Sequence, residues 1–286
     1  MHPRHRAAAI FLLGPLLSAT LCRGERGASG AAPLAPPRVE IQWFATPAEA
    51  LGPILARKPR VIAFGEYHAV QGAARVRSAL RRFVDQMLPF LLYWPSDLIV
   101  ETWVTQGQCG DSERTVAQDV RRTIRRPPST QNEIVSLLRG AREIGIQPHI
   151  LQVSCAEYQA LLDDKGQVDY DGLLKLLTRL LARKVSEVSA ARQDPVRPIL
   201  VYGGALHNDL DPKEAFRPYS FGPQLLQETR GRYLEVDLYV PEYVARDPEV
   251  TESAWYRQYR QELRPRSTAL VRRGPFSYVV MFPPGW

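Results

Sequence analysis

Apolar and polar positions along this chain follow two alternating periods. Residues 61–64, "VIAF", form a continuous apolar run closed by Gly65, the pattern of a buried strand. The next apolar positions are Val76, Ala79, Leu80, Phe83, Val84, Met87, Leu88 and Leu91, with Arg and Asp opposite them. That spacing predicts an amphipathic helix over 74–92, kinked or ended late by Pro89. "DLIVETW" (97–103) predicts a second strand. The rhythm then breaks over 104–131. Val116, Val120 and Ile124, at i, i+4 and i+8, predict a short helix inside this excursion, and "PPST" closes it.

Thr130 and Glu133 have capping-box spacing for a helix over 132–146, and Gly145 is the residue expected to stop it. "PHILQV" (148–153) reads as a third strand, 170–188 as a strongly periodic helix, and "PILVYGG" (198–204) as a fourth strand. "YLEVDLYV" (233–240) alternates strictly, which predicts a half-buried strand, and "SYVVMF" (277–282) reads as the last one. Residues 241–275 form a second excursion, rich in Arg and Tyr. Strands alternating with helices argue for an α/β domain over 39–286: a mainly parallel sheet, helices on both faces, and a lid-like helical excursion at 104–131.

The N-terminus does not join this rhythm. "MHPRHR" is basic, and the apolar run that follows, "AAAIFLLGPLLSATL", is short and broken by Gly and Pro. Residues 1–24 therefore read as a secretory signal peptide rather than a membrane span, and 25–38 as a flexible linker. This predicts an exported protein, periplasmic or extracellular. Cys22 directly follows the apolar run, so a lipoprotein anchored to the membrane through a lipidated Cys22 stands beside ordinary cleavage. Cys109 and Cys155 remain in the mature part and could pair in an oxidising compartment. Two cysteines cannot build a four-cysteine zinc site. Cys155 is also a candidate nucleophile beside His207, against the plainer reading of a buried or disulfide-bonded residue.

Composition adds little: 45% hydrophobic and 23% charged residues are ordinary globular values. The net charge of +7 gathers most densely in "RRTIRRPP" (121–128). No aromatic residues are interleaved there and no nucleic-acid module surrounds it, so nucleic acid is not expected as a partner. The cluster reads as a solvated helix face. The competing reading is a lid that presents at least one of Arg121, Arg122, Arg125 and Arg126 to an anionic ligand, with Arg121 and Arg125 as the named substrate contacts.

The chemistry concentrates at strand ends. In open α/β sheets, ligands bind beyond the carboxyl ends of the strands. Glu66 and His68 follow the first strand, Glu101 ends the second, and His207 follows the fourth in "YGGALHND". Gly203 and Gly204 allow a close backbone approach, and Tyr67 lies between Glu66 and His68. Of five histidines, His2 and His5 fall in the leader, and His149 begins the third strand, at the other end of the sheet. The chain has no G-x-G-x-x-G, P-loop, H-E-x-x-H, C-x-x-C or G-x-S-x-G motif.

"VIAFGEYH", "LIVETW", "AREIGIQPHILQVS" and "ILVYGGALHND" together resemble, in order and spacing over about residues 58–210, the ChaN-like proteins. The wider superfamily of that resemblance includes Tiki/TraB proteins and erythromycin esterases. The resemblance implies a Glu/His site on the sheet edge and a haem- or metal-binding uptake role as one alternative, with Tyr67, Gly203 and Gly204 near the cofactor. From the residues themselves, Glu66, His68, Glu101 and His207 suit a divalent metal (Mn, Zn or Co). They equally suit metal-free hydrolysis, with a His as general base oriented by a Glu. The expectation is an exported hydrolase acting on a small molecule. A haem or metal carrier and a scaffold with a degenerate site are the other classes.

Overall fold

A computed structural model of the protein describes residues 39–69, 76–124, 126–192, 194 and 196–285. The expected leader and linker over 1–38 lie outside the described residues. Eight strands form one mixed sheet: β1 (Glu40–Phe44), β2 (Val61–Glu66), β3 (Asp97–Gln106), β4 (Gln147–Ser154), β5 (Ile199–Gly204), β6 (Tyr233–Tyr239), β7 (Thr268–Arg272) and β8 (Ser277–Met281). Their spatial order is β1-β7-β8-β6-β2-β5-β3-β4. The pairs β2–β5, β2–β6, β3–β4, β3–β5 and β6–β8 are parallel. The pairs β1–β7 and β7–β8 are antiparallel, because β7 and β8 form a hairpin and β1 closes that edge. The fold is therefore α/β with a mostly parallel sheet, and Arg38–Trp286 forms one compact unit.

Local sequence explains most of the helices. In α1 (Leu51–Leu55), Leu51, Ile54 and Leu55 are buried. Ser78 caps α2 (Ala79–Gln86) by accepting from the Arg81 N–H, so the helix begins later than the apolar spacing predicts. It ends before Pro89, which enters a single 3-10 turn, Leu88–Leu91. The excursion carries α3 (Gly110–Ile124), whose Val116 is buried against the core. Next come α4 (Thr130–Glu143), α5 (Cys155–Ala160) and α6 (Tyr170–Ala191). Gly145, with φ of +78°, ends the turn after α4 as expected. The capping box predicted at Thr130 does not form. α4 starts at Thr130 itself, and the Glu133 carboxylate accepts from the Ser78 hydroxyl at 2.5 Å.

Ile62, Phe64, Leu200 and Leu234 pack with α2 and α4 in one apolar cluster. Val61, Ala63, Val201 and Ile99 pack with α6 and Val116 in another. The expectation of a half-buried β6 is wrong: all seven of its residues are buried, including Glu235 and Asp237. The second excursion has regular structure of its own. It holds short helices at Pro241–Val244, Pro248–Thr251 and Ala254–Gln261, then β7. Among the described residues, no helix is long and apolar enough to cross a membrane.

Candidate functional site

Three parallel strands deliver the candidate residues to one edge. β2 ends at Glu66, β5 ends at Gly204 and leads into α7 (Ala205–Asn208), which carries His207. β3 contributes Glu101 through an irregularity: its register against β4 shifts between Val100 and Trp103. Its pairing with β5 stops at Val100. Glu101 and Thr102 are thus released from the ladder, the usual way a bulge re-aims a side chain. Glu101 turns over β5, where Gly203 and Gly204 leave room. A Cβ at Gly203 would come within 2.5 Å of Glu101 Oε2, and one at Gly204 within 2.8 Å of His68 Nε2.

The four residues form two carboxylate–imidazole pairs that meet over Gly204. In the first pair, His68 Nδ1 lies 2.6 Å from Glu66 Oε1, and the Tyr202 hydroxyl donates to Glu66 Oε2 at 3.0 Å. Arg126 Nη2 lies 2.6 Å from His68 Nε2. A guanidinium only donates and a carboxylate only accepts, so these partners fix the tautomer: Nδ1 carries the proton and Nε2 the lone pair. In the second pair, His207 Nε2 lies 3.8 Å from Glu101 Oε1. Its Nδ1–H faces the Tyr219 carbonyl at 2.9 Å, beside the Thr178 hydroxyl. Glu101 Oε2 accepts the Gly204 N–H at 2.6 Å.

Glu66, Glu101 and His207 are almost fully buried, whereas the His68 side chain keeps 30% of its surface exposed. Burial is the largest effect on either carboxyl and pushes it up. His68, Arg126 and Tyr202 outweigh it at Glu66, and His207, Arg126, His68 and the Gly204 N–H outweigh it at Glu101. Both carboxyls are held below the ordinary range and stay ionised.

The other expected contacts divide. Among the described arginines of the excursion, Arg126 faces the site. Arg122 instead pairs with Asp119, Arg121 is exposed to solvent, and Arg125 lies outside the described residues. Cys155 is bonded to Cys109 with Cα atoms 4.9 Å apart, so it is not a nucleophile. His149 pairs with Asp97 at the opposite end of the sheet, at 2.7 Å, as a structural residue. Tyr67 does not turn toward His68. It packs edge-on to Tyr239 and lines a separate cleft of about 690 Å³ with Trp255, Glu235 and Arg273.

Sequence reasoning missed Tyr202, which a one-strand alternation from Leu200 could have flagged, and the ionic cluster below this second cleft. There Arg273 Nη2 bonds both Glu235 and Asp237. Asn208 Nδ2 and the Tyr239 hydroxyl also donate to Asp237, at 3.3 and 3.2 Å.

The site as arranged does not match a divalent-metal shell. Among the described residues, no three His, Cys, Asp or Glu side chains are grouped to hold a metal ion. The His68 lone pair that would face a cation faces Arg126 instead. The cavity beside it, between Glu66, His68, Ser78, Arg126 and Glu133, has room for about one water molecule.

No family model and no curated protein matches the chain. Among solved structures, the type III effector HopBA1 aligns over 86% of this chain and 98% of its own, at 12% identity and a TM-score of 0.41, a likeness too distant to carry an argument.

Proposed function

We propose that the protein is an exported hydrolase of a small anionic substrate, with His68 as general base. The observation that carries this reading is the placement of His68 between Glu66 at Nδ1 and Arg126 at Nε2. Glu66 fixes the ring and stabilises positive charge on it. Arg126 covers the basic nitrogen while no anion is present. An anionic group on the substrate draws the guanidinium to itself by charge-assisted hydrogen bonds and uncovers the lone pair. Nε2 then takes a proton from water, and the resulting hydroxide adds to the substrate's electrophilic carbon or phosphorus. The imidazolium returns that proton to the leaving group as the bond to it breaks. Glu101 holds the Gly204 backbone under His68, and His207 backs Glu101. These two are positioning residues.

The fold proposed around this site has helices on both faces of the sheet, the excursion as a lid over its carboxyl edge, and a place among ChaN-like relatives by its G-E-x-H turn. The Cys109–Cys155 bond supports an oxidising compartment, hence export through the leader at 1–24. The rival reading, a haem or divalent-metal carrier, rests on that sequence resemblance.

The test is a panel of chromogenic carboxylic and phosphoric esters bearing an anionic group, assayed with and without chelator, beside a hemin titration. Turnover that survives the chelator and falls about 10²-fold or more in His68→Ala and Glu66→Gln supports the hydrolase. A Soret band that disappears in His68→Ala, or activity abolished by chelation, supports the carrier or metal reading and overturns ours.

A further inference from the structure

The opposite edge of the sheet carries a surface that the proposed site leaves unexplained. The segment "PFLLYWP" (89–95) connects the 3-10 turn to β3, and four of its apolar side chains face solvent. Phe90 is 64% exposed, Leu92 43%, Tyr93 76% and Trp94 50%. Val196, 75% exposed, belongs to the loop that enters β5. These loops are neighbours at the amino ends of the strands: the Ser96 N–H donates to the Pro198 carbonyl at 3.0 Å, and the Arg197 guanidinium donates to the Pro95 carbonyl. Contiguous exposed aromatics on a soluble domain mark an interaction surface.

Its surroundings are basic. Arg60, Arg197 and Arg232 are the residues, or lie one short of the residues, that enter β2, β5 and β6 side by side. The Arg60 N–H bonds the Arg232 carbonyl, and the Ile199 N–H bonds the Arg60 carbonyl. Arg192 lies close enough to Arg60 and Arg232, and to Asp97 and Asp194, for their charges to act on it. Arg57, Lys58 and Arg230 add exposed cations on the same edge. Two acids lie nearby and offset part of this charge: Asp97, paired with His149, and Asp194, bonded to the Val196 and Arg197 N–H groups, both act on Arg192, which leaves the cations in excess. The strand directions also place the start of β1 here. β1 is antiparallel to β7, which is antiparallel to β8, which runs parallel to β6. The chain therefore enters the described domain from this edge.

We infer that this edge docks on an anionic lipid bilayer. Tyr93 and Trp94 would sit at headgroup level, Phe90 and Leu92 would reach the acyl boundary, and the arginine row would meet the lipid phosphates. The catalytic edge would then face away from the membrane. The charge decides between occupants. A second copy of this chain would bring the same basic row against itself, whereas anionic headgroups neutralise it.

The test is co-sedimentation of the full chain carrying Cys22→Ala, so that no lipid can be attached. Vesicles of phosphatidylcholine alone are compared with vesicles that also contain phosphatidylglycerol. Binding should require the anionic lipid and fall with salt. It should drop about tenfold or more in Phe90→Ser/Trp94→Ser, and by about fivefold for each charge removed in Arg57→Gln/Arg230→Gln. Unchanged melting temperatures would show that both variants fold. A Trp94→Phe chain should lose part of the fluorescence blue shift seen on binding. The inference is overturned if neutral vesicles bind equally, or if both variants bind like the parent, which would assign binding to the leader. It is also overturned if the chain dimerises through Phe90 and Trp94 without affinity for vesicles.

Discussion

Two buried carboxylate clusters lie on adjacent strands of one sheet, and they are built on opposite principles. At the end of β2, Glu66 faces His68 and Tyr202, and the countercharge, Arg126, comes from the excursion that follows β3. Within β6, Glu235 and Asp237 share one Arg273 nitrogen, supplied by the turn of the β7–β8 hairpin. The outcomes differ in sign. Glu66 is held below the ordinary carboxyl range. Glu235 is pushed up to about 8, first by burial and then by the neighbouring Asp237 and Asp209 charges, against the pull of Arg273. One cluster keeps an ionised carboxylate, which in the proposed mechanism orients a base. The other joins β6 to the hairpin through Arg273, and Glu235 holds a proton near neutrality.

The largest contrast should appear in stability. Arg273→Met leaves the buried Glu235–Asp237 pair, with a proton held on Glu235, without its cation and should cost about 3–5 kcal/mol in chemical denaturation. Arg126→Met should cost no more than about 1 kcal/mol, because Glu66 keeps His68 and Tyr202. Equal losses would erase the distinction between the clusters. Opening the Cys109–Cys155 bridge, which closes a sequence separation of 46, should cost about 2–4 kcal/mol. That loss should appear in Cys109→Ser/Cys155→Ser, and the parent should match it under reductant.

Acidity separates the clusters next. Between about 4.5 and about 8 the folded state holds a proton on Glu235 that the unfolded chain has lost, so stability falls as pH rises through that window. The slope is up to about 1.4 kcal/mol per pH unit, and Glu235→Gln should flatten it. Glu66 and Glu101 act in the other direction. Their contribution is complete above the unfolded carboxyl range and disappears as pH falls through their lower folded values. Glu66→Gln should therefore shrink the acid-side loss and leave the slope near neutrality in place. The smallest expected effect is Gly204→Ala. Its new methyl presses on His68 Nε2, so turnover should fall about tenfold with less than about 1 kcal/mol lost in melting.

How far the sequence disclosed this arrangement depended on how local each cause was. The runs beginning at Val61, Asp97 and Ile199 announced strands because a sheet interior needs continuous apolar residues, and the run at Tyr233 did so by its alternation. Glu66, His68, Glu101 and His207 were visible because they interrupt or follow such runs. β1, "EIQWF", was missed because its mixed polar pattern merges with the preceding linker, and β7 because it is short and lies in an Arg-rich stretch. Strict alternation in β6 suggested a wet face. Arg273, 36 residues beyond Asp237, supplies the countercharge instead, and no local pattern could reveal it. The same holds for Glu133, taken from its predicted cap by Ser78, 55 residues earlier. Arg126 stood among four equivalent arginines, and its contact with His68 follows from the tertiary path of the chain beyond α3, not from a local pattern.

The central claim is that His68 is a neutral base with its lone pair on Nε2, covered by a guanidinium. Long-range nitrogen–proton NMR of the imidazole, assigned by His68→Gln, reads this state directly and needs no substrate. The account predicts a protonated Nδ1 and an unprotonated Nε2 near pH 7.5, with the Nε2 resonance moving in Arg126→Met. A proton on Nε2, or a resonance indifferent to Arg126, would contradict it.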